Sequence, residues 1–272
     1  MPKFDMGAAW DDSKVLLRSH STLTGTIAAV FLFLPTLAVG WFGPTPVAPA
    51  DGASLEQVMA AFRENAGQTV PYQLLVSIIS AIGGVGILRL WLSRSGTSVG
   101  DALLFAIRMI PTMIAVQLIL GVALGLGALL LLMPGIAASG GPVGMLLVLI
   151  GLILLLGLSA YFWGRLAVVS PVIADREVRN PVTALQTGWA LTRDNGWRIF
   201  LFMFLVALVI VVVAALVGGV VGAVAGASDG IGRILTGLVQ GVVAAVGGLI
   251  SVAIAAATYR QLVVRDGGNV FS

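Results

Sequence analysis

The chain has 272 residues, 58 % of them hydrophobic and only 10 % charged, with 15 Lys+Arg against 12 Asp+Glu, 35 Gly, one His and no Cys. A mean hydropathy of +1.06 excludes an ordinary soluble domain, in which about a quarter of residues are charged. Without cysteine there are no disulfides, thiolate metal sites or thiol nucleophiles.

No ionised side chain occurs from Ser19 to Ala50, Asn65 to Leu88, Met109 to Gly164, Ile199 to Ser228 or Ile234 to Tyr259. A helix needs about 20 apolar residues to cross roughly 30 Å of hydrocarbon. Met109–Gly164 is long enough for two crossings, and the breakers "MPGIAASGGP" (Met133–Pro142) sit in its middle. The expectation is an all-α integral membrane protein, one domain over 1–272, with six transmembrane helices. They are placed at Thr22–Trp41, Val70–Leu92, Arg108–Leu132, Val143–Leu166, Trp197–Gly226 and Ile231–Tyr259. A transmembrane barrel would show segments of about 10 residues with alternating polarity instead.

The first 21 residues form a short, charged, partly helical segment on the inner side. "APA" at Ala48–Ala50 imitates a signal-peptide cleavage site. The preceding apolar run exceeds the usual signal core of about 7–15 residues, and a Pro-rich stretch intervenes, so it reads as a retained span. The outer loop, 43–68, contains "SLEQVMAAFREN". There Ser54 and Gln57 have capping-box spacing, and Leu55, Val58, Met59 and Phe62 share one helical face. This predicts an amphipathic helix docked on the outer leaflet or over the bundle mouth. Before the third span, Ser98 and Asp101 repeat the capping-box spacing. The inner loop, 167–196, holds a third such helix. Asn180 suits its N-cap, Pro181 its first turn, and Asn195-Gly196 a left-handed close. Val182, Leu185 and Trp189 then share a face suited to the interface.

The even-numbered spans end alike, in "GILRLWL", "WGRLAVV" and "TYRQLVV", each with one Arg: Arg89, Arg165 and Arg260. One reading is three helical-hairpin repeats, each preceded by an interfacial helix. The other is that Arg-flanked spans arise from the positive-inside rule alone. With the N-terminus inside, the inner segments carry Lys3, Lys14, Arg18, Arg89, Arg94, Arg108, Arg165, Arg176, Arg179, Arg193, Arg198, Arg260 and Arg265. The outer segments carry only Arg63 and Arg233. That asymmetry puts both termini in the cytoplasm. The pI of 9.8 then points to anionic lipid headgroups as partner rather than nucleic acid.

The most distinctive stretch is "RLAVVSPVIADREVRNPVTALQTGWALTRDNGWRIFLF", Arg165 to Phe202. It resembles the glycerophosphoryl diester phosphodiesterase membrane-domain family and the YciC-like inner-membrane proteins. The matching positions are Arg165, Pro171, Asp175–Glu177, Trp189, Thr192–Arg193 and Trp197–Arg198. The resemblance implies a multi-pass fold in a bacterial inner (cytoplasmic) membrane. It implies no phosphodiesterase activity, because hydrolysis in such proteins belongs to a separate soluble domain.

Chemistry finds little purchase. The single histidine, His20, flanks the first span, and one His cannot found the His–carboxylate cluster of metal-dependent hydrolysis. Asp101, Asp175, Glu177, Asp194, Asp229 and Asp266 all fall in loops, leaving no mid-span proton relay. "SGGPVG" (Ser139–Gly144) lacks the Lys-Ser/Thr of a phosphate loop and reads as a turn. No catalytic residue, metal site or cofactor is expected, and the chain reads as non-enzymatic. Within the spans, Ser77, Ser80, Gln117, Ser159, Gln240 and Ser251 are polar. The two Gln are expected to bond across helices, the sharper alternative being that they line a substrate path.

G-x-x-x-G spacings at Gly121/Gly125, Gly218/Gly222/Gly226 and Gly237/Gly241 fall in the outer halves of their spans. The inner halves carry Trp91, Phe105, Phe162, Trp163, Trp197, Phe200, Phe202 and Phe204. This predicts helices packed tightly outside and splayed inside. Such an inner face could hold anionic phospholipid through Arg89, Arg165, Arg193 and Arg198, braced by Trp189 and Trp197. Two alternatives are a transporter or permease-like component for a lipid or small amphiphile, and an assembly subunit docking other membrane proteins through Gly-rich faces. A third is that these cations only set topology.

Overall fold

A computed structural model describes residues 3–19, 21–45, 52, 55–93, 96–138, 141–225 and 230–268. The readings placed on His20, Ala48–Ala50, Ser54, Arg94, Ser139-Gly140, Gly226 and Asp229 lie outside them. The described residues are largely helical, and six helices are long and apolar enough to cross a membrane. The architecture is therefore that of an all-α, multi-pass membrane protein.

Helix α1 (Met6–Ser19) precedes a first span built of α2 (Ser21–Ala28), a π-helical turn (Ala29–Phe33) and α3 (Leu34–Phe42). The π turn has a local cause. Pro35 has no N–H to offer the carbonyl of Phe31, and a wider turn lets the chain pass the ring. Ser80 of the second span donates to that freed Phe31 oxygen at 3.3 Å. Gly83 gives Phe31 room: a Cβ there would stand 2.5 Å from the Phe31 Cβ.

The second span is α4 (Leu55–Leu92), the third α5 (Val99–Ala137), the fourth α6 (Pro142–Leu166). Two short helices, α7 (Val169–Arg176) and α8 (Pro181–Leu191), lead to α9 (Gly196–Ala225) and α10 (Ile231–Gly268). The predicted outer amphipathic helix is not a separate docked element. It is the first part of the unbroken α4, and its Phe62 is 68 % exposed. Helix α5 likewise runs unbroken from its N-cap Ser98 through Pro111 and Pro134. The Ser98 hydroxyl accepts from Asp101 N–H and donates to the Asp101 carboxylate at 2.6 Å, so only half of a capping box forms. Three hairpins are present, but only the first and third follow a separate short helix.

Both termini lie at one end. Asp5 N–H donates to Gln261 Oε1 and Gln261 Nε2 donates to Asp5 O, both at 3.2 Å, while Arg260 pairs with Asp12 at 3.3 Å. The three apolar core clusters occupy this termini half. There Phe4, Ile87, Leu88, Met109, Ile173 and Ile199 are packed among Ala102, Ala106, Ala174, Ala253, Ala256 and Ala257. Beyond Val116, the buried residue of α5 is Gly135, and before Gly164 those of α6 are Gly144 and Gly151.

The expected arrangement, tight outside and splayed inside, is not met: the termini half is the filled one, while Gly40, Gly135 and Gly151 make close backbone contacts in the other half. Large residues set against Ala fill the termini half, whereas a glycine permits close approach without compelling it. Gly237 and Gly241 do meet Trp41 and Phe33 of the first span. A Cβ at Gly121, Gly125, Gly218 or Gly222 would meet nothing within 4 Å. Gln117 and Gln240 are exposed, and neither bonds across helices among the described residues. Ser80 makes the cross-helix bond instead.

Candidate lipid-binding groove

Asn180 caps α8 as its residue type predicts, its Oδ1 accepting from Val182 N–H (2.9 Å) and Thr183 N–H (3.3 Å), with Pro181 in the first turn. The helix docks through small residues: Ala184, Gly188 and, just past its end, Thr192 are buried. A Cβ on Gly188 would stand 2.7 Å from Val169 Cγ2. Val182 is exposed, and Leu185 and Trp189 turn toward α5 and α6. The helix stops at Leu191, and the left-handed residue in the following turn is Asp194 (φ 69), not Asn195 or Gly196. Asn195 instead ties the N-terminus to this turn, its Oδ1 accepting from Phe4 N–H at 2.8 Å.

Gly196 makes room for the aliphatic stem of Arg165, since a Cβ there would lie 2.6 Å from Arg165 Cδ. Gly164 packs just as closely against Gly196 O and Phe200 Cβ. Thr192 Oγ1 lies 2.8 Å from the Arg165 carbonyl, one of the carbonyls that the end of α6 leaves without a helical partner, and 2.9 Å from Gly188 O of its own helix, so its single proton is shared between them. Two glycines and a buried threonine thus fix Arg165 at the junction of α6, α8 and α9.

Arg165 is 7 % exposed. Its guanidinium carbon lies 4.4 Å from the Trp189 ring centroid and 5.9 Å from that of Tyr161. Trp189 is held in turn by Tyr161 (5.6 Å, edge-on) and Phe162 (5.8 Å, tilted). A cation over an indole face contributes about 0.5–2 kcal/mol, more when water is excluded. That is small beside the cost of burying a charge without hydrogen bonds. Among the described residues the buried Arg165 Nε has no hydrogen-bond partner, and no carboxylate pairs with the residue. The guanidinium borders a groove of ≈ 770 Å³ between α5, α6 and α8. Arg193 and Gln186 share its polar end, and Ile119, Leu120, Ala123 and Phe162 form its apolar wall.

The structure divides the six residues singled out in the sequence. Arg165, Trp189 and Arg193 converge on this groove. Arg89 belongs elsewhere: it donates to Ala174 O at 2.9 Å, pairs with Glu177 at 2.5 Å and lies 4.7 Å from the Phe105 ring centroid. Its charge is already partnered. Trp197 is 65 % exposed and lies tilted against Phe200 at 5.1 Å, and neither it nor Arg198 lines the groove. Gln186, Tyr161 and Phe162 were not among the six. Helical spacing is the signal that brings them in, with Phe162 three before Arg165, and Gln186 and Arg193 three before and four after Trp189. No family model, curated protein or solved structure matches this chain.

Proposed function

We propose that this chain is a non-enzymatic membrane protein of a bacterial inner membrane. It holds an anionic phospholipid in the groove of Arg165, Trp189 and Arg193, on the cytoplasmic side. The observation that carries this reading is the buried Arg165 guanidinium, which no described residue neutralises, at the head of an apolar-walled groove. A phosphate diester would complete it, because the guanidinium fork donates two parallel hydrogen bonds to such an oxyanion. Acyl chains would follow the Ile119–Ala123 wall. The surplus of Lys and Arg on the segments assigned to the inside favours the leaflet that carries anionic lipid.

Native mass spectrometry of protein released from phosphatidylglycerol-containing nanodiscs tests the proposal. Wild type should retain phosphatidylglycerol over phosphatidylcholine, and Arg165→Ala/Arg193→Ala should lose about tenfold or more of that preference. Arg198→Ala should keep it. Equal retention by wild type and the double variant contradicts the reading.

A further inference from the structure

At the end opposite the termini, α3, α4 and α10 enclose a second concavity, of ≈ 570 Å³, lined by Thr36, Gln73, Ser77, Arg233, Thr236 and Gln240 among others. Its size suits a small ligand, for which pockets run about 300–1,000 Å³. Gln240 stands about 10 Å further along α10 than Arg233, at roughly 1.5 Å per residue, so the polar lining reaches well into the apolar part of the span. The Thr236 hydroxyl is buried without a partner among the described residues. Gln73, Ser77 and Gln240 make no hydrogen bond to any described residue. A buried hydroxyl left unpaired is costly; with Gln73 and Ser77 on α4 facing Thr236 and Gln240 on α10 across the same concavity, the lining calls for a polar occupant.

Charge decides which kind. Arg233 is the only ionised residue in the described lining, and its fork is engaged. Its Nε donates to Gly40 O at 3.2 Å and its Nη2 to Gly43 O at 2.5 Å. Both acceptors sit at the C-terminal end of α3, where the helix dipole already offsets a cation. Arg165, by contrast, meets no such acceptor. The remaining groups are neutral hydroxyls and amides, each able to donate and accept, which is the complement of a hydroxyl array. The walls are preorganised. A Cβ on Gly40 would lie 2.9 Å from Gly237 Cα, and Trp41 Nε1 donates to Ile234 O at 3.0 Å. We infer that this pocket binds an uncharged polyhydroxylated group, either the sugar headgroup of a membrane lipid or a free sugar.

The test uses the full chain in nanodiscs, prepared with a detergent that carries no sugar. Retention of glucosyldiacylglycerol, of diacylglycerol with the same chains and of phosphatidylglycerol is read by native mass spectrometry. Wild type should prefer the glucosyl lipid to diacylglycerol about tenfold, the worth of one or two net hydrogen bonds. Gln73→Ala/Gln240→Ala should abolish that preference. Thr236→Val keeps the side-chain shape, removes only an unpartnered hydroxyl, and should lower the preference several-fold with an unchanged Tm. Competition by methyl glucoside assigns the ligand to free sugar, whereas its failure to compete assigns it to the lipid headgroup. Equal retention of the glucosyl lipid and diacylglycerol by wild type overturns the inference. A preference for phosphatidylglycerol that Arg233→Gln abolishes also overturns it, since the pocket would then be an anion site.

Discussion

Arg165 and Trp189 lie face to face, guanidinium carbon to ring centroid 4.4 Å, at the meeting of two helices that are separate in sequence. The charge is packed on one side and faces the groove on the other. Arg165→Lys keeps the charge but loses the planar fork and its stacking. It should fold with a Tm within a few degrees of wild type, while phosphatidylglycerol retention falls about three- to tenfold. Undiminished retention by the lysine variant would mean that any cation at this position suffices.

Thr192 holds the Arg165 backbone while Trp189 holds its side chain. Thr192→Val preserves shape and removes the hydroxyl shared between the Arg165 carbonyl and Gly188 O, leaving the Arg165 oxygen without that donor. The expected loss is about 1–3 kcal/mol, read as a lowered denaturation midpoint in detergent. An unchanged midpoint would show that the carbonyl finds another donor.

The glycines separate spacing from contact. Gly164→Ala places a methyl against Gly196 O and Phe200 Cβ, and Gly196→Ala places one against the Arg165 stem. Each should cost about 1–3 kcal/mol by overpacking. Gly121→Ala and Gly125→Ala, in a G-x-x-x-G pair with open space at both positions, should change monomer stability by less than about 0.5 kcal/mol. Thermal unfolding of the four single variants checks the contrast.

Arg89 carries its charge for structure. Arg89→Ala removes the bond to Ala174 O and the pair with Glu177. The second of these is partly solvated, so the expected loss is modest, about 1–2 kcal/mol, and phosphatidylglycerol retention should stay at the wild-type level. A folded Arg89→Ala protein that no longer retains the lipid would widen the site to this residue.

The spans were legible because hydrocarbon thickness and the cost of buried charge leave few other readings of an uncharged run of 20 residues. The caps at Ser98 and Asn180 were legible because they are local. What escaped was set by partners distant in the chain. Gly196 looks like a helix-ending glycine, yet its contact is with Arg165, 31 positions away. Ser80 looks like an ordinary membrane serine until Pro35 leaves the Phe31 carbonyl free. The G-x-x-x-G pairs Gly121/Gly125 and Gly218/Gly222 misled, while Gly237/Gly241 packs, because spacing states what a helix allows and the large side chains packed against alanine decided where the bundle closes. The grouping of Arg165, Trp189 and Arg193 was half visible, since charge and aromaticity named the candidates while only the turn of α8 selected among them.

The most direct test of the central claim is crosslinking in nanodiscs with phosphatidylglycerol carrying a photoreactive diazirine on its acyl chain, with adducts mapped by peptide mass spectrometry. Adducts should concentrate on the Ile119–Ala123 stretch of α5 and on Phe162, and should fall about tenfold there in Arg165→Ala/Arg193→Ala with labelling elsewhere unchanged. Labelling spread evenly over the lipid-facing helices, and identical in the double variant, would contradict the groove as a lipid site.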